Sequence, residues 1–167
     1  MFSGDTIYFR FEASSIYALN ANNGRFIDDH PVMLISDNGK SRKVIRIGNS
    51  VKIGTEDVPG NLTNINPFQH PRVIISNFTI AEKMFILLVK ELVSGRIFRP
   101  KPTIVFHPKR DLDGGITSLE VKMLKDIGLF IGGIKVFVWL GRNLTQPELL
   151  NKSFLNEPHD YELCGEQ

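Results

Sequence analysis

Cysteine is nearly absent from this chain: Cys164 is the single one in 167 residues. That excludes a disulfide framework and a thiolate metal site, and it fits a reduced, cytoplasmic compartment. Long apolar runs are also missing. No stretch reaches the roughly 18 residues a membrane-crossing helix needs, and Asp5, Arg10 and Glu12 interrupt the N-terminus where a signal peptide would be read. Charge of one sign is not in excess, with 20 Lys and Arg against 18 Asp and Glu for a net charge of +2. Without a basic cluster carrying interleaved aromatics, nucleic acid is not an expected partner. The four histidines, His30, His70, His107 and His159, each stand beside a proline and have no ligand-spaced partner. They read as exposed loop residues, and no metal or other cofactor is expected. Asp111-Leu112-Asp113-Gly114 lacks the downstream glutamate of a calcium loop and reads as a solvated turn.

What is present is an ordinary globular composition, 42% hydrophobic and 23% charged, with enough chain for a real core. The strongest element is a helix from Ile80 to Val93, almost wholly apolar apart from Glu82, Lys83, Lys90 and Glu91. A narrow polar face of this kind predicts a buried helix. Thr79 and Glu82 have capping-box spacing at its start, Ser94-Gly95 stops it, and Pro100 and Pro102 keep it from resuming.

Along the chain, Ile7, Phe9 and Phe11 alternate as a strand, a second strand starts at Ile16, and Asn22-Asn23-Gly24 is a hairpin turn leading to Phe26-Ile27. Further strands are predicted at 32–35, 43–47, 51–53 and 73–76. Thr103 to Phe106 and Lys135 to Leu140 read as buried strands. Between these two lies a second amphipathic helix, opened by the Thr117–Glu120 capping box and carrying Leu119, Met123, Leu124 and Ile127. The glycines of 128–133 mark that helix's exit rather than a dinucleotide loop. Past Asn143 the sequence predicts one short helical piece near Glu148-Leu149-Leu150 and a loose tail.

The run from Val58 to Pro102 carries a family likeness. Pro59-Gly60-Asn61, Asn66-Pro67, Arg72-Val73-Ile74, Phe78, Glu82-Lys83-Met84 and Phe98-Arg99-Pro100 occur in an order and spacing that resemble the MreB family of bacterial actin homologues, the rod shape-determining proteins. The resemblance extends loosely over residues 1–140. It implies an α/β fold of the actin-like ATPase (ribonuclease H-like) type: a half-molecule whose mixed sheet carries a small inserted subdomain. The expected organisation is a first lobe over 1–142, with the small subdomain at about 36–72, followed by a tail over 143–167. The family's second lobe has no counterpart in this sequence.

The resemblance also says where chemistry is expected. In the family, a phosphate loop of the form D-L-G-T-A-N-T follows the first strand, and the stretch in its place here is Phe9-Arg10-Phe11-Glu12-Ala13-Ser14-Ser15. Phe9 stands for the acid and Phe11 for the glycine that lets backbone amides approach a phosphate. Leu140-Gly141-Arg142 stands where the family has a catalytic glutamate. The implied chain is therefore not an ATPase. It is expected to be a cell-shape or cytoskeletal protein, or a binding scaffold, that acts through a protein partner or self-association. The alternative is an ATP-binding fragment that hydrolyses only with a partner lobe, with Glu12, Ser14 and Ser15 on the phosphate side. Phe9, Phe11, Trp139 and Leu140 are the interface candidates, on surface a second lobe would have covered. Ile97 and Phe98 between Arg96 and Arg99 match the family's membrane tip, which implies weak contact with the inner face of the membrane.

Overall fold

Alternation along the first strand decides the architecture. Thr6–Phe11 forms β1 at the centre of a mixed sheet, and both of its faces are buried. The coordinates are a computed structural model that describes residues 4–52, 58–95, 100–109, 115–157 and 163–164. β1 pairs antiparallel with β2 (Ile16–Asn20), which pairs antiparallel with β3 (Phe26–Asp29). The next three strands, β4 (Met33–Asp37), β5 (Arg42–Ile47) and β6 (Asn61–Ile65), form a separate sheet in the order β5-β4-β6. Helix α1 (Phe78–Leu92) returns the chain to the main sheet at β7 (Thr103–Pro108), parallel to β1. Helix α2 (Ser118–Phe130) crosses over to β8 (Lys135–Val138), parallel to β7. After α3 (Gln146–Asn151), the two-residue β9 (Leu163–Cys164) closes the order β3-β2-β1-β7-β8-β9. Val44 to Ile47 therefore pair with β4 and not with the sheet that holds Thr103 to Phe106.

Successive side chains of a strand point to opposite faces, which sorts β1 into two cores. Ile7, Phe9 and Phe11 face α1 and α2 together with Ile104, Phe106, Val136 and Val138. Helix α1 brings Ile80, Met84, Phe85 and Leu88 to that face. Aromatic rings knit it, with Phe85 edge-on to Phe9 and to Phe106 at 4.9 Å each and Phe68 against Phe11 at 4.7 Å. Such pairs add about 0.5–1.5 kcal/mol each beyond their buried area. Helix α2 comes close enough to the sheet that a Cβ on Gly128 would lie 2.5 Å from a Val136 methyl. The other face holds Tyr8, Leu19, Val105, Phe137 and Trp139, and Leu144, Leu149 and Phe154 cover it.

Several local expectations need correction. The cap of α1 is Asn77, whose extended backbone lets its side chain accept from the Ile80 amide at 3.1 Å, so Thr79 lies inside the first turn. Residues 73–76 are no strand. Their polar groups bond sideways instead: the Ile74 amide donates to Glu120 at 2.9 Å and the Ser76 amide to the Pro67 carbonyl at 2.7 Å. Val51 and Lys52 belong to a 3-10 helix (Gly48–Lys52), and Ile53 lies outside the described residues. Strand β6, with its polar sequence Asn-Leu-Thr-Asn-Ile, was not legible as a strand. The capping box of α2 is present as expected: Thr117 accepts from the Glu120 amide, and the Glu120 carboxylate accepts from the Thr117 amide.

Candidate functional site

The β1–β2 turn, 12–15, occupies the place where the sequence located its phosphate-side candidates. The Glu12 amide donates to the Ser15 carbonyl at 2.9 Å and closes the turn. The hydroxyls of Ser14 and Ser15 both donate to one carboxylate oxygen of Glu12, at 3.0 and 3.1 Å. Glu12, Ser14 and Ser15 are thus brought together, but in an arrangement that accepts hydrogen bonds from its own hydroxyls. An arriving phosphate would meet a carboxylate charge and would have to detach both hydroxyls from it. The turn is pinned from outside as well. His30 donates from Nδ1 to the Ser14 carbonyl at 2.7 Å, and the Asn66 side-chain amide donates to the Ala13 carbonyl at 2.7 Å.

The interface candidates fall mostly inside the molecule. Phe9 and Phe11 are buried under α1 and Trp139 is buried under Phe154, because strand alternation points all three at covered faces. The Trp139 indole N–H donates to the Arg142 carbonyl at 2.7 Å, so its polar edge is satisfied as well. Of the four, only Leu140 reaches solvent, at 37% exposure. Arg96, Ile97, Phe98 and Arg99 lie outside the described residues. The Arg142 guanidinium bridges Glu148 and Glu157 and, with the Thr145 hydroxyl, pushes the Glu148 carboxyl down to about 2.

His107 is not an exposed loop residue. It sits in β7, almost fully buried, and its Nδ1 is bonded to the Tyr8 hydroxyl. Burial, with Lys109 nearby, pushes its pKa down to about 4, whereas burial pushes the Tyr8 hydroxyl up to about 12. A neutral imidazole bonded to a neutral phenol is a structural pair and supplies no acid or base near pH 7.

Two surface features were missed by the sequence reading. Helix α2 carries apolar side chains on its outer as well as its inner side. Val121, Leu124 and Ile127 point inward, but Leu119, Leu129 and Phe130 face water at 74%, 51% and 65% exposure, and Ile134 beyond the helix is 63% exposed. Leu119, Met123, Asp126 and Phe130 fall within one narrow stripe at 3.6 residues per turn, and Lys122 bonds Asp126 beside it at 3.5 Å. Leu119 belongs to the amphipathic helix the sequence predicts but lies on its outer side. The second feature is a cavity of about 420 Å³ between the β1–β2 turn and the small sheet, bounded by residues 13–14, 30–32, 48–49, Val51 and Asn64.

Among the described residues, no group of three or more His, Cys, Asp or Glu side chains is placed to hold a metal ion. No helix among them is long and apolar enough to cross a membrane.

No family model matches the chain. Among curated proteins, the cell shape-determining protein MreB of Haemophilus influenzae is 23% identical over 117 residues, which is 69% of this chain and 32% of that protein. Among solved structures, MreB5 of Spiroplasma citri bound to ADP superposes with a TM-score of 0.61 at 14% identity, covering 82% of this chain and 38% of that one. The same protein bound to AMPPNP gives 0.61 at 16% identity, covering 84% and 39%. The chain spans about a third of the curated relative's length. Over that span it has an MreB-like, actin-type fold, as its motifs led one to expect.

Proposed function

We propose that this chain is an MreB-like cytoskeletal protein that works by association with a second copy of itself and does not hydrolyse ATP. One observation carries the reading: the outer face of α2, where Leu119, Leu129 and Phe130 stand in water, with exposed Ile134 following the helix. Large apolar side chains clustered on one element mark an interaction site. A second copy suits this face because Asp126 in the stripe and Lys122 beside it offer opposite charges, so facing copies can match each other's charge. In support of the catalytic part, the β1–β2 turn contains no glycine and its two hydroxyls are taken up by Glu12. The organisation proposed is a lobe over 1–142 with the sheet of β4, β5 and β6 as its small subdomain. Cytoplasmic location, with weak contact of 96–99 to the membrane surface, completes the reading. Sedimentation equilibrium tests it: mass should rise with concentration, and Leu119→Glu with Phe130→Glu should abolish the rise without unfolding the chain.

A second reading has its own support, because the MreB5 structures that share the fold carry ADP and AMPPNP. In it, this chain binds ATP and needs a partner lobe for hydrolysis, with Glu12, Ser14 and Ser15 beside the phosphates. A nucleotide that binds the native state raises its melting temperature by mass action. A Mg-ATP-dependent rise that Ser14→Ala abolishes would favour this second reading over the first.

A further inference from the structure

The cavity beside the β1–β2 turn has a built frame. The Asp29 carboxylate accepts from the His30 amide at 2.7 Å and from the Asn49 amide at 2.8 Å, tying the β3–β4 connection to the 3-10 helix. Gly48 lies against that carboxylate at φ +67°, where a Cβ would lie 1.8 Å from a carboxylate oxygen. Its wall is apolar, from Ala13, Pro31, Val32 and Val51. The described residues that line it include no Lys, Arg, Asp or Glu, so neither a phosphate nor a metal cation finds a counter-charge there. Its volume falls in the range of small-molecule sites, which are mostly apolar with a few placed polar groups.

His30 supplies the placed group. Its Nδ1 faces the Ser14 carbonyl, which can only accept, so Nδ1 carries the proton. His30 lines the cavity, and with Nδ1 so engaged Nε2 is the ring nitrogen that can accept a hydrogen bond. We infer that this cavity is a binding site for an uncharged aromatic or heteroaromatic molecule that donates one N–H or O–H hydrogen bond to His30. The apolar wall takes the ring, and the donor meets Nε2. The inference is independent of the association proposed for α2, which lies on a different element.

The test uses the full chain, ¹⁵N-labelled, titrated with indole and separately with 1-methylindole, which has the same ring but no donor. Indole is expected to shift the amides of Ser14, Val32, Asn49 and Asn64 saturably, and 1-methylindole to bind about tenfold more weakly for want of one hydrogen bond. Asn64→Phe fills the cavity from an exposed strand position and should abolish both titrations with the fold intact. His30→Phe keeps an apolar wall and should bring indole down to the level of 1-methylindole. Saturable shifts absent at millimolar indole, or equal affinities for the two probes, would overturn the inference.

Discussion

Tyr8 and His107 form a buried hydrogen bond between parallel neighbouring strands, β1 and β7. The Leu144 amide also reaches the Tyr8 oxygen at 3.5 Å. Strand β7, the start of the covering segment and the central strand are thereby tied at one point. Burial holds the His107 pKa at about 4 against an ordinary 6.5. Below pH 6.5 the unfolded chain takes up a proton that the folded chain refuses until about pH 4. Stability is therefore full above pH 6.5 and falls as pH drops toward 4, by about 3 kcal/mol for this group. Urea denaturation at pH 7 and pH 4.5 should show the loss, and His107→Leu should flatten it. An unchanged slope in that variant would place the pH dependence elsewhere. The Tyr8 shift works in the opposite window, its stabilisation being lost as pH rises from 10 toward about 12.

Glu120 is expected to be the most sensitive polar position of the main core. Its carboxylate accepts from the Thr117 amide at 3.0 Å, the Thr117 hydroxyl at 2.8 Å and the Ile74 amide at 2.9 Å. Glu120→Ala strands two main-chain donors and should cost about 2–4 kcal/mol, whereas Thr117→Ala should cost about 1 kcal/mol, the value of a cap. Thermal or urea unfolding of the two variants side by side decides whether the tie to Ile74 adds to the cap.

Phe9→Asp should unfold the domain, since it places an unpaired charge among Phe85, Phe106 and Phe11 with no water to solvate it. That cost is comparable with the whole stability of a small domain, about 5–15 kcal/mol. Trp139→Ala removes a ring packed on Phe154 at 5.7 Å and should cost about 3–5 kcal/mol. As the single tryptophan of the sequence, Trp139 also reports on folding. Its buried indole should emit to the blue in the native state and shift red on unfolding. A native spectrum typical of exposed indole would contradict its position under the covering segment.

What the sequence made legible was governed by local signals, and what it hid was settled by packing. Strand β1, helix α1 and the capping box of α2 followed from alternation, apolar content and cap spacing, because each signal lies within a few residues of what it predicts. The fate of Phe9 and Phe11 depended on what covers the sheet, and a resemblance in the place of a phosphate loop cannot distinguish a filled core from a remade interface. The exposure of Leu119 was hidden for a related reason. Its helix is apolar on two sides, and periodicity does not say which side the sheet takes. His107 looked like a loop residue because Pro108 follows it, yet β7 runs through both. A cavity residue such as Asn49 carries no sequence signal, since the Asp29 carboxylate that aligns it acts across 20 positions.

Nucleotide response separates the two functional readings. With both turn hydroxyls on Glu12, millimolar Mg-ATP should leave the melting temperature unchanged, and so should ADP. Differential scanning fluorimetry with and without nucleotide is sufficient. A rise of several degrees, lost in Ser14→Ala, would show that the turn still takes a phosphate.

The central claim is that two copies meet through the outer face of α2. Its most direct test is a short bis-maleimide applied to Phe130→Cys in a Cys164→Ser background, with Arg42→Cys on the small sheet in the same background as the comparison. Covalent dimer is expected from the Phe130 position at concentrations where the Arg42 position gives none. Equal cross-linking at both positions, or none at Phe130 while the wild-type chain sediments as a monomer, would contradict it.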